Sequence, residues 1–174
     1  MIQIRPALPE DAPALAEFGA RTFGIAFGPA NKEQDVRDYL ASHYGTDIQA
    51  QEIVDPDIPT LLAEEEGELI GYAQLRLNSS HPSLSSSSPV ELWRIYIESD
   101  RKGSGLAHLL MDSVKSEALA HGGDVLWLSV WKENPRAIAF YQKEGFVIVG
   151  EKDFWVGADR QFDYVMSVGL KPVT

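Results

Sequence analysis

The stretch "RIYIESDRKGSGLAHLL", Arg94 to Leu110, passes from an alternating apolar run into charges and glycines, then resumes apolar residues at helical spacing. A strand feeding a glycine loop that opens a helix leaves backbone N–H groups unpaired at the positive end of the helix dipole, a setting for an anion. The loop lacks the spacer and Gly-Lys-Ser/Thr ending of a nucleotide P-loop, and it lacks the G-x-G-x-x-G of a dinucleotide site. On these residues alone a plain strand-to-helix turn stays open as well. Composition narrows the remaining chemistry. With no cysteine there is neither a disulfide nor a thiol nucleophile, and the four histidines are scattered, with no ligand-like pair for a metal such as zinc.

The formal net charge of -11 speaks against a nucleic-acid partner, because phosphate backbones need a basic face, and it would draw in cationic small molecules. Acidity that only keeps a protein soluble is the plainer explanation. A chain of 174 residues, 44% hydrophobic and 24% charged, fits one domain with a real core, residues 1–174. No apolar run approaches the roughly 18 to 20 residues of a membrane helix. The start "MIQIRPALPED" lacks a basic region followed by an apolar stretch, so a cytoplasmic protein with no membrane partner is expected.

The elements that must position the loop follow from periodicity. "IQIRPA" alternates as a strand, and "PEDAPALAEFGARTF" sets Ala12, Leu15, Ala16 and Phe18 at helical spacing. In "NKEQDVRDYLASHY", Asn31 as N-cap with Gln34 behind it gives a capping-box pattern for a second helix, with Val36, Tyr39, Leu40 and Tyr44 as its stripe. "PTLLAEEEGELIGYAQLRL" reads as a hairpin around Glu66-Gly67-Glu68. A serine-rich loop, residues 78–89, follows and is expected to be mobile. "VELWRIYI" is then a strand with Trp93, Ile95 and Ile97 on one face and Leu92, Arg94 and Tyr96 on the other.

A helix from about Ser104 to His121 and the buried strand "VLWLSVW" come next. Asn134 as cap, Pro135 at the first position and Gly145 past the end bound another helix, and two strands close the chain. The order defines a mixed α/β domain in which the unit from Glu91 to Trp131 has parallel strands and a right-handed crossover.

"IYIESDRKGSGLAHLLM" together with "VWKENPRAIAFYQKEGFVIVG" resembles the GNAT superfamily of acyl-CoA dependent N-acetyltransferases. Its Q/R-x-x-G-x-G/A motif lies in Lys102 to Ala107. Its motif N-x-x-A-x-x-F-Y-x-x-x-G-F is matched at Asn134, Ala137, Phe140, Tyr141, Gly145 and Phe146. The resemblance implies the GNAT fold, an α+β mixed sheet of about seven strands with four or five helices. It also implies acetyl-CoA as co-substrate and no metal. The anion of the glycine loop would then be the coenzyme pyrophosphate, held by backbone N–H groups of Gly103, Ser104, Gly105, Leu106 and Ala107. Lys102 departs from the usual Gln or Arg, keeping a cation as a point charge where Arg would offer a fork. Ile95, Tyr96 and Ile97 would run beside the pantetheine arm, the backbone of Ile95 and Ile97 pairing with it. Asn134 would hydrogen-bond the coenzyme besides capping its helix.

By the same resemblance Tyr141 is the general acid that gives sulfur its proton. A phenol near pKa 10 facing a thiol near 8.5 makes this transfer uphill by about 1.5 units, or about 2 kcal/mol, so the proton moves late. A primary amine near pKa 10.4 is neutral about once in a few thousand molecules at pH 7 and needs a base. Glu91 is the best-placed candidate, through water, although an edge-strand glutamate is more often only a solvated charge. His108, inside the phosphate helix, reads as a surface residue.

"WRIYI", "LWLSVWKENPRAIAFYQKEGF" and "FWVGADRQFDYVM" resemble in particular the PaiA-type polyamine N-acetyltransferases of bacteria, as does the pattern Thr22, Phe23, Phe27, Asn31, Tyr39, Leu40. That implies spermidine, spermine or another polyamine as the small-molecule acceptor, with a homodimer as the family expectation. Glu33, Asp35 and Asp38 on the second helix would hold the distant ammonium, or simply form a solvated face. Acetylation of protein, peptide or other small amines, and a non-catalytic acyl-CoA sensor, are the alternatives.

Overall fold

In the computed structural model, which describes residues 1–172, Glu66 and Gly67 take φ of 54° and 83°. Positive φ at both central residues is the turn whose twist suits a two-residue hairpin. It joins β2 (Thr60–Glu65) to β3 (Glu68–Arg76), and β1 (Ile2–Pro6) adds antiparallel to β2. β4 (Pro89–Ile97) pairs antiparallel with β3 and, for three residue pairs, parallel with β5 (Val125–Trp131). β6 (Val147–Val156) and β7 (Asp159–Gly169) form the closing hairpin, and β7 pairs with β5. The seven strands run in the order β1-β2-β3-β4-β5-β7-β6.

Among the described residues five α-helices cover the sheet. α1 (Ala12–Phe27), α2 (Glu33–His43) and α3 (Thr46–Val54) precede the sheet's second strand; α4 (Leu106–Ala120) crosses from β4 to β5, and α5 (Pro135–Lys143) follows β5. Leu110, Met111, Val114 and Ala118 of α4 are fully buried against Leu75, Val90, Leu126 and Met166 of the sheet. On the opposite face Leu15, Phe18 and Phe23 of α1 pack against Leu62 and Tyr72 and against Val36 and Val156. Among the described residues no helix is long and apolar enough to cross a membrane.

The mixed sheet, the parallel β4–α4–β5 unit and the capped α5 match the sequence expectations, and four local features do not. α3 was not expected: its one buried residue is Gln49, so its segment shows no strong apolar stripe. Asn31 does not cap α2. Its Nδ2 donates to the Phe27 carbonyl (2.7 Å) and its Oδ1 accepts from Gln161 (3.2 Å), while Gln34 reaches Asp38 (2.7 Å), so no capping box forms.

The serine loop is anchored rather than free. Asp124 accepts from Ser86, Ser87 and Ser88, the Trp127 indole donates to the Ser79 carbonyl (3.0 Å), and Ser83 packs so close to Gly150 that no Cβ fits there. Finally, Leu75 opposes Leu92 while Gln74 opposes Arg94, so Trp93 is an extra residue in β4. That bulge flips the alternation. Leu92, Ile95 and Ile97 share the α4 side, whereas Arg94 and Tyr96 meet the aromatic clusters under α1 and α2.

Candidate active site

The glycine loop takes its shape from two left-handed residues. Gly103 and Gly105 both have φ of 87°, and Gly105 immediately precedes α4. An L side chain there would cost about 1 to 2 kcal/mol, so glycine is required by conformation. Ser104 Oγ donates to the Arg101 carbonyl (2.6 Å) and accepts from Leu106 N–H (3.3 Å), which pins the loop from inside. Leu109 N–H is the first to reach back into the helix, to Gly105 (3.0 Å), which among the described residues leaves Ala107 and His108 N–H as free first-turn donors. Leu106 contributes backbone only, its side chain being buried with Ala63 and Ile70. Arg101 is tied to Glu65 at 2.6 Å. Lys102, by contrast, is exposed with no carboxylate within ion-pair range among the described residues, so it is the loop's available cation.

Lys102, Gly103 and Ala107 border a cavity of about 250 Å³ whose other walls are Ile95 and Ile97 of β4 and Asn134, Arg136, Ala137, Phe140 and Tyr141 of α5. Arg136, an exposed second cation, was not expected as a site residue; it sits one residue past the helix-starting proline. Asn134 Oδ1 accepts from Ala137 N–H (3.1 Å), so its cap role is real and its amide nitrogen remains free to donate. The chemistry of this wall, backbone donors with two cations and no carboxylate, fits a polyphosphate.

Pairing between β4 and β5 ends at Glu91 and Trp127. From there β4 turns an unpaired backbone edge towards the gap, a strand-shaped ladder for an extended ligand arm. Tyr141 lines the cavities on both sides of this gap. Its ring rests against Phe140 (5.4 Å) and Phe146 (5.7 Å), and burial pushes its phenol well above the ordinary value. It therefore stays protonated throughout the working pH range, a donor rather than a base.

Beyond the gap lies a second cavity of about 320 Å³, roofed by Phe23 and Phe27 of α1 and Tyr39 of α2. Phe23 stacks on Phe27 (4.6 Å) and Tyr39 (4.4 Å), while Phe27 meets Trp131 (5.8 Å) and Phe154 (5.7 Å). Gly19 makes this roof possible, since a Cβ would lie 2.5 Å from the Tyr44 ring. Three charged side chains on the floor are nearly inaccessible: Glu91 (3% exposed), Arg94 (5%) and Asp163 (4%).

Arg94 is satisfied by Glu52 (2.8 Å) and Gln74 (2.7 Å), and its guanidinium lies over the Trp93 ring at 3.6 Å. Arg76 covers the same ring at 3.4 Å. Glu91 accepts from Ser79 (2.5 Å) and has Arg76 at 3.9 Å. Asp163 differs: its Oδ1 has no hydrogen-bond partner among the described residues, and burial pushes its carboxyl up to about 6 against the opposing pull of Lys152 and Ser129. Neither the arginines nor Asp163 were expected in the site. For Asp163 the available signal was the one acid in the run "QFDYVM".

The structure thus gathers Glu91, Ile95, Tyr96, Ile97, Lys102, Asn134 and Tyr141 around one gap. It does not bring Glu33, Asp35 or Asp38 there. Glu33 is exposed and pairs with Arg37 (3.1 Å), and Asp38 is exposed beside Gln34. Asp35 accepts from Ala158 N–H (3.4 Å) at the β6–β7 turn, where Gly157 (φ 59°) leaves no room for a Cβ. Its carboxylate docks the closing hairpin onto α2. His108 lies on the surface, bonded to Glu144 (2.6 Å).

An anion cradle and an aromatic chamber meet at a split between two parallel strands, sharing Ile95, Ile97, Lys102, Asn134, Ala137 and Tyr141 as walls, an arrangement that suits group transfer between two substrates. The chain belongs to the acetyltransferase (GNAT) family, which it matches over residues 27–146. It is 34% identical over 156 residues to an uncharacterized N-acetyltransferase of Mycobacterium tuberculosis, covering 90% of this chain and 96% of that one. It is 30% identical over 90 residues, 51% of this chain and 59% of the other, to a spermine/spermidine N(1)-acetyltransferase of Bacillus subtilis. A crystal structure of PaiA N-acetyltransferase from Thermoplasma acidophilum in complex with coenzyme A has a TM-score of 0.79 at 21% identity, over 97% of this chain and 99% of that one. That last likeness speaks to the fold.

Proposed function

We propose that this N-acetyltransferase moves an acetyl group from acetyl-CoA to a primary amine of a polyamine such as spermidine or spermine, by direct attack with Tyr141 as general acid. The observation that carries the reading is the position of Tyr141, facing the anion cradle on one side of the β4–β5 gap and the chamber with its buried carboxylates on the other. Gly103 to Ala107, Lys102 and Arg136 hold the coenzyme phosphates, and the free edge of β4 through Ile95 and Ile97 aligns the arm. Because burial raises the Tyr141 phenol, its mismatch with a departing thiolate exceeds the one in water. The proton therefore moves only as the carbon–sulfur bond breaks. Polyamine as acceptor is supported by the named activity of the Bacillus subtilis relative and by the overall charge of -11. The enzyme acts as one domain, residues 1–174, of which the last two lie outside the described residues, in the cytoplasm; the resemblance adds a homodimer.

Arg76 favours a second reading. A guanidinium stacked on Trp93 in the chamber wall, with its nearest carboxylate at 3.9 Å, would suit an acceptor that carries a carboxylate, as a peptide does. A thiol-release assay across spermidine, spermine, a monoamine and short peptides separates the two. Spermidine is expected to have the highest kcat/KM; turnover of peptides alone would replace the polyamine reading with the peptide one.

A further inference from the structure

We propose that Asp163 is the carboxylate that receives the acceptor's ammonium in the chamber and takes its proton ahead of attack. The proposal rests on reading the chamber as an amine site.

Its placement comes from register. Asp163 of β7 lies opposite Trp131 of β5 and Lys152 of β6, on the sheet face roofed by α1 and α2 rather than on the α4 face. Ser129 is two residues along the same face of β5. The residue is 4% exposed, lines the chamber, and leaves Oδ1 without a partner among the described residues. A buried acceptor atom left unpaired is costly and rare, and it is accounted for when a donor arrives with the ligand. An alkylammonium brings up to three such donors. Glu91, the other buried carboxylate, already accepts from Ser79 and faces Arg76, so it has less capacity to spare.

The groups around Asp163 are compatible with this task. β6 presents Lys152 and β5 presents Ser129; both favour the ionised carboxylate, while burial opposes it more strongly. β3 and β4 present Arg76, Arg94 and Glu91, of which Arg94 is matched by Glu52 from α3. α1 and α2 contribute aromatic rings, Phe23, Phe27, Tyr39 and Tyr44, to the roof. His43 stacks behind Tyr39 at 3.9 Å, and burial makes it less basic than an ordinary histidine. Asp163 is thus ionised at neutral pH yet more basic than an ordinary aspartate.

The protons balance as follows. R–NH3+ gives one proton to Asp163, and the freed nitrogen lone pair attacks the thioester carbonyl carbon. The carbon–sulfur bond then breaks, sulfur leaving with the electron pair and taking the Tyr141 proton. The second nitrogen proton restores Tyr141, and Asp163 returns its own to water.

The test is Asp163→Asn with spermidine as probe. For the wild type, kcat/KM should fall on the acid side with a midpoint near pH 6. In the variant that limb should vanish and kcat/KM at pH 7.5 should drop at least about tenfold, in line with loss of general-base assistance. Acetyl-CoA affinity, measured by calorimetry, should stay within about twofold, which certifies the fold. Asp163→Ala, regaining rate on addition of formate, gives an independent arm. Wild-type kcat/KM with an intact acid limb in Asp163→Asn overturns the proposal. If spermidine is inert and another amine turns over, the polyamine reading fails and the same variants decide Asp163 with that amine. An enzyme that turns over no amine overturns both.

Discussion

The two sides of the β4–β5 gap are built on different principles. The coenzyme side relies on backbone: left-handed Gly103 and Gly105, the first turn of α4 and the unpaired edge of β4. The acceptor side relies on side chains brought from β3, β4, β5, β7, α1 and α2, with three charges nearly excluded from water. Backbone recognition constrains residue type through conformation. On the proposed reading it would tolerate Lys102 where the family motif has Gln or Arg, since the amides would do most of the holding. Side-chain recognition can change by one substitution, which suits it to setting which amine enters.

If the two sides are separable, variants should split by substrate. Tyr141→Phe stands at the junction and should have the largest effect, lowering kcat about a hundredfold or more while acetyl-CoA affinity changes less than about twofold. Gly105→Ala forces a Cβ into φ of 87°. At about 1 to 2 kcal/mol, its acetyl-CoA KM should rise about five- to thirtyfold with the acceptor KM unmoved. Gly19→Ala drives the Tyr44 ring from the chamber roof and should do the converse, raising the acceptor KM about three- to tenfold. A Gly19→Ala enzyme with impaired acetyl-CoA binding instead would break the separation.

Asp163 offers a stability version of the same comparison. Its carboxyl is raised in the fold to about 6 from an ordinary 3.8, so the protonated form is the one the fold prefers. That preference is fully present below about pH 4 and is lost as pH rises through about 6. At pH 7 the ionised group costs about 3 kcal/mol on the shift alone. Asp163→Asn should therefore gain on the wild type in denaturant midpoint between pH 4 and pH 7, by less than that figure because the amide also needs partners. A gap that does not widen with pH would mean the buried carboxylate is satisfied. The smallest effect belongs to Glu33→Gln and Asp38→Asn, exposed and off the chamber, which should leave the acceptor KM within about twofold. A clear rise would return the second helix to the acceptor path.

What could be read from the sequence follows the same division. Asn134, Pro135 and Gly145 bound α5 as expected, and the glycine loop opens α4, because caps and positive φ leave local residue preferences. The bulge at Trp93 was not legible: it depends on how β4 registers against β3, a long-range fact. Nor was α3, whose buried Gln49 belongs to a polar cluster with Gln74 and so breaks the apolar period. The serine loop looked mobile by composition, yet Asp124 supplies the acceptor that orders it from 36 residues away. Asp35 shows the opposite error. Asp35, on the helix expected to flank the acceptor, faces the β6–β7 turn, whereas Asp163 on the last strand is the carboxylate that lines the chamber beside Glu91.

Whether cradle and chamber act together as a catalyst, and not as a coenzyme sensor, is decided by mixing the purified protein with acetyl-CoA and following free thiol before and after spermidine is added. Negligible release without amine and multiple turnovers with it, slowed about a hundredfold or more by Tyr141→Phe, are expected. Tight acetyl-CoA binding with no amine-dependent thiol release, across polyamines, monoamines and peptides alike, would contradict the catalytic reading.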